Sequence, residues 1–292
     1  MANKLIPLLR AVRFVLHLCY GLTLALFYPW LRLSRRRRIL QRWSNGLLAI
    51  FNVNIVISDD DPLHTLGHGL IVTNHVSWLD VFVLNAVVPM RFVAKSEVRT
   101  WPIIGWLCAR AQTLFIERGK ARSAARVNLQ MVELLKNGEC LAIFPEGTTT
   151  DGMQVEHFHS SLLQPAIDAE AQVFPIAIRY QDGHGTHSTI PAYIGDTSFG
   201  ASLWNILSAP ELHVRLITSA TLDAATSDRR TLTQMAHQQI SAALASAHAA
   251  SGLSMLPPSA QPSVETQQHF QSLYCVLLNP ALDHHDFHAQ EK

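Results

Sequence analysis

Residues 69–80 read GLIVTNHVSWLD, an apolar run, a polar turn and then the shape S-x-x-D. The run Gly69 to Thr73 reads as a buried strand, and Ser77 to Asp80 as a helix N-terminus with Ser77 at the cap and Asp80 in the first turn. His75 falls in the turn between them. On one continuous helix, residues five apart point about 140° away from each other, so a His75–Asp80 pair requires His75 to precede the helix and fold back. In that arrangement an imidazole able to take a proton near neutral pH stands beside a carboxylate that can orient it. The alternative open at this point is a capping box with a satisfied turn histidine.

Outward from this stretch, further strand-like runs alternate with helical ones: VNIVI near residue 53, RFVA near 91, TLFI near 113, CLAIF near 140, VFPIAI near 173 and HVRLIT near 213. That rhythm predicts an α/β fold, a mixed central sheet flanked by helices. Helical periodicity is clearest in residues 121–137 (ARSAARVNLQMVELLKN), stopped by Gly138, and in residues 227–250. No internal repeat interrupts the pattern.

In front of this body lie residues 14–33 (FVLHLCYGLTLALFYPWLRL), about long enough to span a bilayer, followed at once by Arg35, Arg36, Arg37 and Arg38. Residues 1–42 hold nine Lys or Arg and no acid, leaving 14 bases against 22 acids in the remainder. The overall charge of +1 therefore hides a cationic, apolar front end on an acidic body. The front end is expected to be a membrane anchor, spanning or interfacial, at an anionic surface and with the body on the cytoplasmic side of the inner membrane. Four arginines directly after the apolar stretch, with no small-residue cleavage site, argue against a cleaved signal. The acidic body and the lack of interleaved aromatics argue against a nucleic-acid partner.

The cysteines Cys19, Cys108, Cys140 and Cys275 have no paired spacing and read as small buried thiols of a reducing compartment. No metal site is expected, and the histidines of DHHDFH, residues 283–288, read as a solvated terminus. Residues 251–263 (SGLSMLPPSAQPS) read as a linker. The expected division is an anchor with its Arg cluster over 1–45, a catalytic domain over 46–250, and linker plus accessory tail over 251–292.

Two further segments carry chemistry. Residues 95–119 (KSEVRTWPIIGWLCARAQTLFIERG) place Lys95 and Arg118 at strand ends, where an α/β sheet builds its site, and hold an apolar element from Trp101 to Leu107 suited to an acyl chain or a membrane face, or to an ordinary buried helix. Residues 144–152 (FPEGTTTDG) end a strand and must turn at Gly147, which frees backbone N–H groups for an anion or a polar headgroup. Glu146 can accept from a hydroxyl, and Thr148 can donate to an oxygen. Phe174 to Ala177 reads as a buried wall.

Taken in order, NHVSWLD, the KSE…WPIIG…FIER run, FPEGT and VFPIAI resemble the four blocks of the membrane-bound glycerolipid acyltransferases, over roughly residues 45–220. The resemblance implies direct acyl transfer from acyl-CoA or acyl carrier protein, used as co-substrate with no other cofactor, to the hydroxyl of a membrane lysolipid in phospholipid biosynthesis. It makes His75 the general base and Asp80 its orienting partner. Lys95 and Arg118 would receive the acceptor's headgroup, and Glu146, Gly147 and Thr148 its glycerol portion. The leading acceptor is 1-acylglycerol 3-phosphate. Many phosphate-accepting members carry Arg where this chain has Thr149, and often Lys where it has His159, which brings a lyso-ornithine lipid or another lysolipid forward as the alternative. A thioesterase, the alternative of another class, lacks a G-x-S-x-G elbow here.

Overall fold

A computed structural model describes residues 5–250 apart from 59, 60, 118 and 119. The helices are α1 (Leu5–Phe27), α2 (Leu33–Phe51), α3 (Asp80–Val87), α4 (Ile104–Arg110), α5 (Ala121–Lys136), α6 (Gln164–Asp168), α7 (Phe199–Ser208) and α8 (Arg229–Ala250). The strands are β1 (Val53–Val56), β2 (Gly69–Thr73), β3 (Arg91–Lys95), β4 (Leu114–Ile116), β5 (Cys140–Ile143), β6 (Gln172–Gln181), β7 (Leu212–Thr218) and β8 (Leu222–Asp223). They form one mixed sheet in the order β1-β7-β6-β2-β5-β3-β4, with β8 paired to the start of β6. The pairs β6–β7 and β6–β8 are antiparallel and the others parallel.

The central strands β2 and β5 are buried along their whole length, as their unbroken apolar sequences require. Alternation sends Ile71 to one face of the sheet and Leu70 and Val72 to the other. The first face packs on α2, α3 and α7 through Leu47, Phe51, Val83 and Ile206. The second packs on α5, α6 and α8 through Val127, Met131, Ala166 and Ile240. Pro175 sits in β6 where β8 reaches only Val173 and β7 starts at Ile176, a gap in the ladder that tolerates a missing N–H.

The apolar front end differs from its expected bounds. Its helix begins at Leu5 and stops at Phe27, because Pro29 cannot continue it, and a 3₁₀ turn Tyr28–Trp30 leads into α2. The segment Leu5–Trp30 is long and apolar enough to cross a bilayer. The boundary expected at residue 45 falls inside α2, whose second half supplies Leu47, Leu48, Ile50 and Phe51 to the core. The apolar front end and the body therefore share a helix.

Along α1 the contacts with the body are specific. Arg10 donates to the carbonyls of Leu207 (3.1 Å) and Pro210 (3.2 Å) and to that of Ala209, closing the C-terminus of α7. The ring of Phe14 lies 5.6 Å from that of Phe51. His17, the polar interruption of the apolar run, stacks on Trp43 at 4.9 Å, and Trp43 Nε1 donates to the His17 carbonyl (3.3 Å). Gly21 lies directly under Trp43, where an added Cβ would come within 2.5 Å of the indole nitrogen. Of the arginine run, Arg36 folds back onto the carbonyls of Leu31 (2.7 Å) and Pro29 and covers the Tyr28 ring. Leu5, Leu8, Leu9, Val15, Phe27 and Trp30 (77 %) face outward.

The apolar element near Trp101 is a surface helix, not a buried one. Gly105 alone of α4 is buried, packed so tightly on the Arg99 carbonyl that no Cβ fits, and Ile103 is 47 % exposed. Ile103 and Trp106 face Leu22 and Leu26 of α1 across an open apolar groove of about 440 Å³. Cys140 is buried, which pushes its thiol up to about 12, whereas Cys19 is exposed on α1, contrary to expectation, because it falls on the outward face of the helix. Cys275, the linker and the tail lie outside the described residues.

Replacing Gly21 by Val is expected to wedge α1 from α2 and destabilise the protein by about 1–3 kcal/mol, the usual cost of overpacking. Thermal unfolding in detergent of Gly21→Val against wild type checks this.

Candidate active site

Strand β2 ends at Thr73, and Asn74 pins the turn beyond it. The Asn74 side chain both donates to the Ile178 carbonyl (3.0 Å) and accepts from the Ile178 N–H (2.8 Å), extending the β2–β6 pairing beyond the strand. His75 then sits in the turn, as expected. The S-x-x-D signal forms half a capping box: Asp80 Oδ2 accepts from Ser77 N (2.9 Å), while Ser77 Oγ accepts from Leu79 N (3.2 Å) instead of from the Asp80 amide. The helix accordingly starts at Asp80, two residues later than a Ser77 cap implies.

Asp80 is fully buried, and its carboxylate gathers four donors. Oδ2 receives His75 Nδ1 (2.8 Å), Val76 N (2.8 Å) and Ser77 N (2.9 Å), and Oδ1 receives the Tyr180 hydroxyl (2.7 Å). A buried carboxylate persists only with such compensation. Tyr180 is itself fully buried, and burial together with the neighbouring Asp80 holds its hydroxyl well above the usual range, so it stays a donor. Since Asp80 offers acceptors only, the His75 proton resides on Nδ1 and Nε2 carries the lone pair. The His75 side chain is 20 % exposed and stacks on Phe144 at 3.9 Å and 17°.

The FPEGTTTDG segment wraps this turn. Glu146 Oε1 accepts from His75 N (2.6 Å) and Oε2 from Glu156 N (2.9 Å). Expected to hold substrate, Glu146 is 4 % exposed and has both oxygens on the chain's own amides, the geometry of a clamp between two loops. Burial pushes its carboxyl up to about 8, against the pull of the two amides. Gly147 turns with φ +67°, and its N–H donates to the Phe144 carbonyl (3.0 Å), closing the turn. Thr150 N donates to the His75 carbonyl (2.8 Å), and Thr149 Oγ1 donates to the Tyr193 carbonyl. Tyr193 N in turn donates to the Val76 carbonyl (2.9 Å).

Thr148 is exposed beside this turn, and Lys95 is exposed at the C-terminal end of β3, on the edge of the parallel sheet that also carries His75 and Phe144. Arg118 lies outside the described residues. Sequence reasoning missed Tyr180, which comes a hundred residues after Asp80. The available signal was a tyrosine continuing the buried alternation of VFPIAIRY, since a buried hydroxyl needs a partner.

A histidine oriented by a buried carboxylate at the C-terminal edge of a mixed α/β sheet defines a protein that can draw a proton from a substrate hydroxyl. Residues 54–179 match the family model described as Acyltransferase. Over 197 residues the chain is 36 % identical to a 1-acyl-sn-glycerol-3-phosphate acyltransferase of Neisseria meningitidis, covering 68 % of this chain and 76 % of the relative. Over 247 residues it is 34 % identical to a lyso-ornithine lipid O-acyltransferase of Pseudomonas aeruginosa, covering 81 % and 93 %. The crystal structure of the 1-acyl-sn-glycerophosphate acyltransferase PlsC from Thermotoga maritima superposes with a TM-score of 0.57 over 81 % of this chain and 97 % of that one, at 19 % identity, a likeness of fold. The chain belongs to the acyltransferase family.

Two outcomes test the site's construction. Tyr180→Phe strands a carboxylate oxygen in the core and is expected to cost about 1–3 kcal/mol of stability, measured by denaturation. Glu146 supplies the second through its raised pKa. A folded state that keeps Glu146 neutral gains stability that is fully present below the ordinary carboxyl pKa of 4.5 and is lost as pH rises through about 8. Stability measured from pH 6 to pH 9 should therefore fall more steeply in wild type than in Glu146→Gln, and parallel profiles would contradict the assignment.

Proposed function

We propose that the protein transfers a fatty acyl group from a thioester, acyl-CoA or acyl carrier protein, to the free hydroxyl of a lysolipid, with 1-acylglycerol 3-phosphate as the first acceptor. The observation that carries this reading is the 2.8 Å contact of His75 Nδ1 with the buried Asp80 carboxylate, which leaves Nε2 as the base. The acceptor oxygen attacks the thioester carbonyl carbon, forming the C–O bond while its proton passes to Nε2. Collapse of the tetrahedral adduct breaks the C–S bond, and the imidazolium returns the proton to the departing sulfur. Asp80 stabilises the imidazolium in between, and no covalent enzyme intermediate is needed.

In this reading Thr148 and the turn at Gly147 meet the acceptor's glycerol portion, and Lys95 with Arg118 meets its headgroup. Glu146 acts by holding the His75 backbone. The enzyme works on the inner membrane from the cytoplasmic side. The docking of α1 on the body through Arg10, Phe14, His17 and Gly21 supports a helix lying in one leaflet, its outward leucines in lipid.

A second acceptor has a specific observation in its favour. The turn 147–150 contains no cation, and the Thr149 hydroxyl is engaged by the Tyr193 carbonyl, which suits a headgroup less anionic than a phosphomonoester. An amide-linked lyso-ornithine lipid fits that description.

Incubating membranes with labelled thioester and both lysolipids tests the proposal. Wild type is expected to acylate at least one, and His75→Ala to lose about 10²–10⁴ of the rate while staying membrane-bound. Free fatty acid released without any acylated lipid would point to a hydrolase instead.

A further inference from the structure

Charge is distributed unevenly within the body. Residues 91–136 carry nine Lys or Arg against three acids, whereas the rest of the chain beyond residue 42 carries five bases against nineteen acids. This basic segment builds β3, α4, β4 and α5, the side of the sheet farthest from β1. Several of its cations have local employment: Arg91 forks onto Glu139 (2.7 Å twice), Arg99 lies over Phe115, Arg110 over Trp106, and Lys120 pairs with Glu117 (2.7 Å). Among the described residues Arg122 and Arg126 make no such close pair, although Arg126 lies near enough to Glu117 to help hold that carboxyl below its ordinary range. The two arginines are exposed one turn apart on the outer face of α5, and the next turn of that face presents Leu129, 72 % exposed. No acid offsets them in the first turn of the helix.

The orientation of this face narrows its partner. Helix α5 packs on the sheet face opposite the one that carries α2, with α1 packed outside it, so Arg122 and Arg126 look away from the lipid-facing leucines. A bilayer is thereby disfavoured. The start of α5 follows the C-terminal end of β4, at the same edge of the parallel sheet as His75 and Phe144. Phosphates of a small nucleotide thioester would want a concave cradle, whereas two arginines and a leucine on a convex helix suit a protein surface of opposite charge.

Resting on the acyl-transfer reading above, we infer that the Arg122–Arg126–Leu129 face of α5 docks an acidic carrier protein that holds the acyl group as a thioester on a flexible arm. Docking there lets the arm reach over the sheet edge to His75. The donor is then protein-bound, and the basic face supplies encounter rate and register while the cleft performs the chemistry.

The full-length enzyme in detergent, with Arg122→Glu and Arg126→Glu combined, tests this with two donors and one acceptor. The charge reversal is expected to lower kcat/KM for acyl carrier protein by about tenfold or more, and to leave acyl-CoA within about twofold. Equal losses with both donors, or no loss with either, would overturn the docking surface. Direct binding of carrier protein by fluorescence polarisation separates the two levels of the proposal. If neither donor supports transfer but the double variant still loses affinity, the docking face stands and the acyl-transfer reading falls; unchanged affinity overturns the docking face itself.

Discussion

The carboxylate of Asp80, out of contact with water, is the group around which this structure is arranged. An ionised oxygen pair in a protein interior has to find donors from the chain, and here four arrive. Three come from its own turn and fix the path from β2 into α3. The fourth comes from Tyr180 of β6, the strand that Asn74 holds beside the same turn. Glu146 and Thr150 then grip the His75 N–H and carbonyl, so the imidazole has little freedom beyond the ring flip that Asp80 and Phe144 restrict.

Support for that turn extends to the apolar N-terminal helix and the helices it packs on. Aromatic rings run from Trp43 of α2 to Phe82 and Trp78 around the start of α3, and on to Phe199 of α7. Helix α1 presses on Trp43 through His17 and Gly21 and closes α7 through Arg10. The apolar N-terminal helix α1 is thus packed on α2 and α7, which flank the helix that carries Asp80.

Much of this was legible in the sequence. Seven strands announce themselves as apolar runs, most plainly β2 and β5, which are buried on both faces and so have few polar positions, and the His75–Asp80 pair follows from a strand, a turn and a helix start. Other features depend on tertiary partners. β8 is two residues long, too short for a period, and α7 (FGASLWNILS) has an apolar composition that blurs its stripe, although Ser198 caps it through Ala201 N (3.2 Å). The Tyr180 bond to Asp80 spans a hundred residues and is invisible until β6 is laid beside β2. Glu146 looked like a ligand group because its sequence neighbours are turn residues; only the fold brings the amides of His75 and Glu156 to its two oxygens.

The central claim is that a carboxylate-oriented imidazole takes the acceptor's proton, and the Asp80→Asn variant tests it most directly. Single-turnover acyl transfer at saturating donor and acceptor should fall by about 10²–10⁴ while both substrates still bind, since Asn cannot steady the imidazolium. A folded Asp80→Asn enzyme turning over within a few-fold of wild type would contradict the account.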